Sequence, residues 1–180
     1  MRKVVVYMLL SLDGVAEEPG DWMTDSDQPI FDNLARVIGT QDTILLGRGT
    51  YDYWVGFWPG DGPEPFHSFI NGTEKRVFTS RPLGQPWDNT TVVHDRAEDH
   101  VRELKQGDGG DIGVHGSIRL ARSLGAAGLV DEYRLVVSST VAGQGERLFT
   151  PADPKRQLKL VDVTHTPGDT LLLGYRAVDV

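Results

Sequence analysis

The sequence predicts an α/β fold of three layers, α/β/α, with a mostly parallel, mixed central sheet and a C-terminal antiparallel hairpin. Two observations lead there. Short runs rich in β-branched residues alternate with stretches of helical periodicity, which is the pattern of strands joined by crossover helices. The C-terminal part breaks that rhythm: two apolar runs flank a Thr-Pro-Gly-Asp turn at 166–169, as in a hairpin.

The strands are read in order as Lys3–Leu10, Asp42–Leu46, Lys75–Thr79, Thr90–His94, Asp111–His115 and Glu132–Val141. None shows a strict period of two, which suits strands covered on both faces. Between them, Asp27 is placed as the cap of a helix whose Ile30, Phe31, Leu34, Val37 and Ile38 recur at helical spacing up to Gly39. Asp95 and Glu98 have the spacing of a capping box ahead of Ala97, Val101 and Leu104. Leu120, Ala121 and Leu124 mark a helix running from near Ser117 to Gly125. Gly56–Pro65 reads as a surface loop. The hairpin strands are Leu158–Thr166 and Leu171–Val178.

Composition narrows the function. With 180 residues, 39% hydrophobic and 24% charged, the chain is expected to form one domain over 1–180. It has no cysteine, which excludes disulfides, thiolate nucleophiles and Cys-ligated zinc. The five histidines show no metal-ligand spacing, so no metal site is expected. No run reaches the roughly 20 apolar residues of a membrane span, and the N-terminal run breaks at Ser11 without a cleavage site. A cytoplasmic protein is expected. The net charge of −8 argues against a nucleic-acid partner, so any anion must be held locally.

Ligands of such sheets bind where strands end and helices begin, and four turns qualify. Ser11-Leu12-Asp13-Gly14 follows the first strand; it is equally readable as a plain turn. Gly47-Arg48-Gly49-Thr50 joins a strand to a helix, with a guanidinium suited to phosphate, or else a solvated Arg on an ordinary loop. Thr79-Ser80-Arg81-Pro82 is a capped loop or a grip on the adenosine end of a nucleotide. His115-Gly116-Ser117-Ile118 opens the last helix and offers an anion site, though not a G-x-G-x-x-G fingerprint.

In this order the motifs S-L-D-G, L-G-R-x-T-Y, V-F-T-S-R, G-G-D-I-x-V-H-G-S-x-x-L-A, L-V-D-E-Y-R-L and G-x-G-x-R-L-F resemble the dihydrofolate reductases. They are more similar still to the reductase domain of riboflavin-synthesis deaminase-reductases. The resemblance spans Lys3 to Val178 and implies a dihydrofolate-reductase-like fold, NADPH as cofactor, a small-molecule substrate and a homodimer. It implies Gly47, Arg48 and Thr50 at the cofactor phosphates, and Ser80 and Arg81 near the adenosine and its 2′-phosphate. Gly116, Ser117 and Ile118 then face the pyrophosphate and nicotinamide, with Leu12, Asp13 and Gly14 beside the ring; His115, at the strand end before them, is a contact candidate more simply read as a structural histidine.

The implied activity is that of a 5-amino-6-(5-phosphoribosylamino)uracil reductase or a reductase of a related small heterocycle. The alternatives are dihydrofolate reduction and a non-catalytic NADPH-binding domain. For the proton the candidates are Asp13, Asp32 or water; Asp32 falls opposite Phe31, Leu34 and Ile38 on the helix. The chain departs from the family pattern in two further ways. It lacks the cysteine-containing zinc signature of the deaminase half, and His115-Gly116 stands where the family has paired glycines. The apolar strand Glu132–Val141 near the hairpin also motivates the dimer, whose interface is not readable from the sequence. Asp21, Asp25 and Asp27 read as turn and cap residues, and Tyr51, Tyr53, Trp54, Phe57 and Trp58 as part core, part pocket wall or dimer face.

Overall fold

The computed structural model describes residues 1–178. The elements are β1 (Val4–Leu10), α1 (Pro19–Trp22), α2 (Gln28–Ile38), β2 (Gln41–Gly47), α3 (Arg48–Trp54), α4 (Phe66–Gly72) and β3 (Glu74–Phe78). There follow β4 (Thr90–Val93), α5 (Ala97–Gln106), β5 (Asp111–His115), α6 (Ile118–Ala126), β6 (Glu132–Val137), β7 (Leu158–His165) and β8 (Leu171–Ala177). The eight strands form one sheet in the order β4-β3-β2-β5-β1-β6-β8-β7. From β4 to β6 every pairing is parallel; β8 pairs antiparallel with β6 and with β7.

Alternation along β1 divides the core. Val4, Val6, Met8 and Leu10 pack with Val101 of α5 and with Leu120 and Leu124 of α6. Val5 and Tyr7 face the opposite side, under Ile30 and Val37 of α2. On β2, Leu45 joins the first set while Ile44 and Leu46 pack with Tyr51 and Ile70 of α3 and α4. Ile44, Leu45 and Leu46 are fully buried, each contributing about 1.5–3 kcal/mol over exposure. A strand buried on both faces needs this continuous apolar run, which is why no period of two showed in the sequence.

Three expectations are corrected and one helix is added. Asp27 precedes α2 but makes no side-chain cap; its carboxylate accepts Gly168 N–H at 2.6 Å and, with Asp25, pins the hairpin turn. No capping box forms at α5, whose N-cap is Arg96; Glu98 turns to the Ser123 hydroxyl of α6. Strand β6 stops at Val137 rather than Val141 because the chain bends after Ser138 to meet Asp13. Finally, Phe66–Gly72 is a helix that the loop chemistry before it concealed. Its last carbonyls are capped by Lys75, a buried side chain whose Nζ donates to Ile70 O at 2.8 Å and Thr73 O at 3.1 Å.

Candidate functional site

Strand β5 lies between β2 and β1. The chain leaves β1 and β2 toward the α2, α3 and α4 face but leaves β5 toward the α6 face, so a crevice opens at their carboxyl ends. The first, second and fourth turns lie there, with the third one strand away on β3. Because β6 runs parallel to β1, the loop after it, 138–147, ends at the same edge.

The first turn is built from inside. Ser11 Oγ donates to Asp13 Oδ1 at 2.8 Å, and Asp13 then accepts the N–H groups of Ala142 and Gly143 at 2.9 and 3.0 Å. Arg147 donates to its carboxylate at 3.2 Å and to its carbonyl at 3.0 Å. The Ser11 hydroxyl, more than the Ala142 and Gly143 amides, holds the Asp13 pKa down to about 2. Asp13 is therefore a staple between two loops, ionised and with both carboxylate oxygens engaged. The motif G-x-G-x-R-L-F is explained by the same staple, since Gly143 (φ +80°) and Arg147 grip Asp13 while Leu148 enters the core. Arg147 was absent from the residues singled out, although its motif carried the signal. Leu12 at the tip of the turn is exposed.

Hydrogen bonds wire the other three turns together. Ser117 Oγ accepts Gly47 N–H at 3.1 Å, joining the ends of β2 and β5, and Thr50 Oγ1 lies 3.4 Å from Gly116 O. Ser117 is buried, and its hydroxyl positions Gly47. Arg48 pairs with Asp52 at 2.6 Å and donates to Pro82 O at 2.9 Å and Arg81 O at 3.3 Å. Its guanidinium thus braces the third turn instead of standing free for phosphate. Ser80 and Arg81 are exposed, and among the described residues the Arg81 guanidinium makes no hydrogen bond or ion pair. Ile118, half-buried, begins α6 behind Gly116.

Gly116 adopts φ +63°, and Trp54 packs over it so closely that a Cβ would lie 2.4 Å from Cζ2. Trp54 of the aromatic group therefore roofs this turn, Tyr51 is fully buried, and Tyr53 and Phe57 are exposed. A side chain at Gly14, Gly49 or Gly143 would instead meet nothing within 4 Å. The backbone rim at those three points is open to a ligand such as a phosphate.

His115 is the reverse of an available group. It is 2% exposed, its Nε2 lies 2.7 Å from Gln41 Oε1, and it is packed among Tyr7, Phe66 and Phe69. Burial lowers its pKa from 6.5 to about 3, so it is neutral and packed as a structural histidine. Gln41, which nothing in the sequence distinguished, fixes the ring. Because the folded pKa lies below the unfolded one, this contribution is complete above about pH 6.5 and is lost as pH falls toward 3. Half-buried His100, beside Arg76, acts in the same direction. Denaturant unfolding should show stability declining from pH 6.5 to 4.5, and His115→Phe should flatten that decline; an unchanged slope would refute the assignment.

Asp32 sits apart from these turns, on the exposed side of α2, where its Oδ1 accepts Gln28 Nε2 at 2.8 Å. It lines a groove of about 490 Å³ with Gln28, Phe31 and Ala35 on one wall and Pro63, Glu64 and Pro65 on the other.

A sheet of this order with a crevice at its central carboxyl ends defines the dihydrofolate-reductase-like class. A dihydrofolate reductase from Enterococcus faecalis, complexed with NADP(H), superposes with a TM-score of 0.65 at 16% identity, covering 98% of this chain and 97% of that one. The chain belongs to the RibD C-terminal domain family, whose model matches residues 2–172. It is 30% identical to Bacillus subtilis (strain 168) YyaP over 169 residues, 89% of this chain and 87% of YyaP. A candidate riboflavin biosynthesis protein from Shewanella sp. PV-4 has a TM-score of 0.80 at 16% identity, covering 98% and 99% of the two chains. The Thermotoga maritima diaminohydroxyphosphoribosylaminopyrimidine deaminase/5-amino-6-(5-phosphoribosylamino)uracil reductase gives 0.69 at 17% identity, with 98% of this chain but 57% of that one covered.

Proposed function

We propose that this chain is an NADPH-dependent reductase of the riboflavin-biosynthesis type, acting on a phosphoribosylaminouracil-like substrate or a related small heterocycle. The observation that carries the reading is the joining of the second, third and fourth turns by Ser117–Gly47 and Arg48–Pro82 into one rim, with open backbone at Gly49 and, on the neighbouring first turn, at Gly14. That rim suits an extended dinucleotide: Gly49 and Thr50 on its phosphates, Ser80 and Arg81 at a 2′-phosphate, Leu12 and Gly14 at the nicotinamide end. NADPH, when bound, supplies the hydride. The protein's part is to orient both partners at the ends of β1 and β5 and to limit water there. With Asp13 held ionised by its loop, Asp32 and water remain as proton sources. The occupied state of Asp13 is also what favours the second reading, a nucleotide-binding domain without catalysis.

Calorimetry should show NADPH bound in preference to NADH, and a substrate screen followed by NADPH oxidation should identify a reducible heterocycle. Equal affinity for the two nucleotides would overturn the phosphate assignment; tight NADPH binding without turnover would leave the non-catalytic reading standing.

A homodimer belongs to the same proposal, with β7 as its interface. Strand β6 is paired on both sides, whereas β7 is an open edge with Leu160 48% and Val163 56% exposed. An edge strand this apolar is normally covered. Sedimentation equilibrium should give a dimer at micromolar concentration that Val163→Lys dissociates; a wild-type monomer would overturn it.

A further inference from the structure

The hairpin carries the sheet past its helices, and the two faces of this extension differ in chemistry. Directly paired residues of neighbouring strands share a face, so the register of β6, β8 and β7 sets side chains in rows. On the α2 side the rows are Glu132–Arg176–Lys159 and Arg134–Gly174–Asp162, a charged face suited to water. On the α6 side they are Tyr133–Tyr175–Leu160 and Leu135–Leu173–Val163, continued by Val137–Leu171 with His165 at the rim. Burial falls away outward across this apolar face. Tyr133 and Leu135 are buried, Tyr175 and Leu173 are half-buried against the same core, and Leu160, Val163 and Leu171 are 48%, 56% and 37% exposed. Phe149, 42% exposed, extends the first row, its ring centroid 5.6 Å from that of Tyr133. An antiparallel sheet with one charged and one apolar face packs the apolar one on something, and within the chain that cover ends near β6.

We propose that this face stacks on the same face of a second copy, sheet on sheet about a two-fold axis, with Phe149 in the contact, and that the partner thereby braces the first turn. The inference rests on the homodimer reading and goes beyond it in naming the packing and its consequence for the site. Size, charge and edge chemistry select a second copy packed by its face. Strand β7, eight residues at ~3.3 Å each, is about 25 Å long. With β8 and Phe149 the strip is roughly 20 Å wide, so two stacked copies bury roughly 1,000 Å² in total, enough for a specific interface. The rows are apolar up to His165, which sits at the rim 3.1 Å from Asp169, so two copies meet without like charges at the centre. Pairing by the edge is opposed instead: the β7–β8 register shifts at Val161, and Lys159 stands on the edge strand. The consequence runs through the residues before Phe149. Leu148 N–H donates to Gly14 O at 3.3 Å, and Arg147 donates to the carbonyl and carboxylate of Asp13. Holding Phe149 against a partner therefore holds the segment that fixes the first turn.

Sedimentation equilibrium and amide hydrogen exchange test the two parts separately. Phe149 and Leu171 lie off the β7 edge and at different rows of the strip, and both are exposed in the protomer, so either substitution serves if the other fails to fold. Phe149→Glu and Leu171→Glu should each raise the dimer dissociation constant at least about thirtyfold, as loss of an interface anchor does. Lys159→Glu, on the charged face, should leave it unchanged. In the monomer, obtained as Val163→Lys or by dilution, the Ala142, Gly143 and Leu148 amides should exchange at least about fivefold faster than in the dimer. A dimer that survives both glutamate substitutions but is dissociated by Val163→Lys would be edge-paired and would overturn the stacked face. Equal exchange in monomer and dimer would overturn the bracing of the first turn. A wild-type monomer at micromolar concentration would overturn the homodimer reading and this inference together, and would leave the face to a different partner.

Discussion

Gly116→Val is expected to abolish measurable NADPH binding and to lower stability by roughly 3 kcal/mol or more. Two independent costs combine. The residue sits at φ +63°, where a β-branched side chain is strained by about 1–3 kcal/mol. A Cβ there would also overlap Trp54, lying 2.4 Å from Cζ2, and the indole is itself packed edge-on against Phe66 and Trp58, so it cannot yield freely. Relief requires moving the backbone, which pulls Ser117 Oγ from Gly47 N–H and separates the second turn from the fourth. Gly128→Ala supplies the control: its φ is +69°, but nothing lies within 4 Å of the added Cβ. That variant should lose stability to strain alone and keep its NADPH affinity. Equal effects of the two on NADPH would show that Gly116 has no particular connection to the cofactor.

Arg48→Ala is expected to weaken NADPH by ~2 kcal/mol, about thirtyfold, and to do so by releasing the third turn. In the structure Arg48 spends Nε on Asp52 and Nη1 on the carbonyls of Arg81 and Pro82, so its removal frees the segment bearing Ser80 and Arg81. Arg81→Ala should act differently, reducing affinity for NADPH but not for NADH, because its unpaired guanidinium is the one suited to the 2′-phosphate. Calorimetry on the two single variants and the double variant separates the roles. If Arg48 works only through Arg81, the double variant loses no more than the worse single one; additive losses would show that Arg48 contacts phosphate itself.

The fold class was legible because strands covered on both faces must be apolar throughout, and Ile44-Leu45-Leu46 and Val4-Val5-Val6 are. The hairpin at 166–169 was equally plain, since a Pro-Gly turn between two apolar runs has few other uses. Motif order carried the family. Element ends were less legible: Asp27, Asp95 and Glu98 satisfy capping statistics, yet Asp27 serves the hairpin turn and Glu98 serves α6. A carboxylate takes the N–H or hydroxyl that tertiary packing brings to it, and distant partners leave no mark on local spacing.

The same reason divides the site. Sequence alone determined which turns bear glycine, arginine and hydroxyl groups, and hence that anion binding should concentrate at 47–50, 79–82 and 115–118. Only the tertiary structure decided what each group is free to do. Inserting β5 between β2 and β1 buries His115 against Gln41 and commits the Ser117 hydroxyl to Gly47. Running β6 parallel to β1 delivers Ala142, Gly143 and Arg147 to Asp13 and engages its carboxylate. A side chain's type fixes the bonds it can make, but whether those bonds are already made depends on neighbours some seventy to a hundred and thirty residues away in the chain.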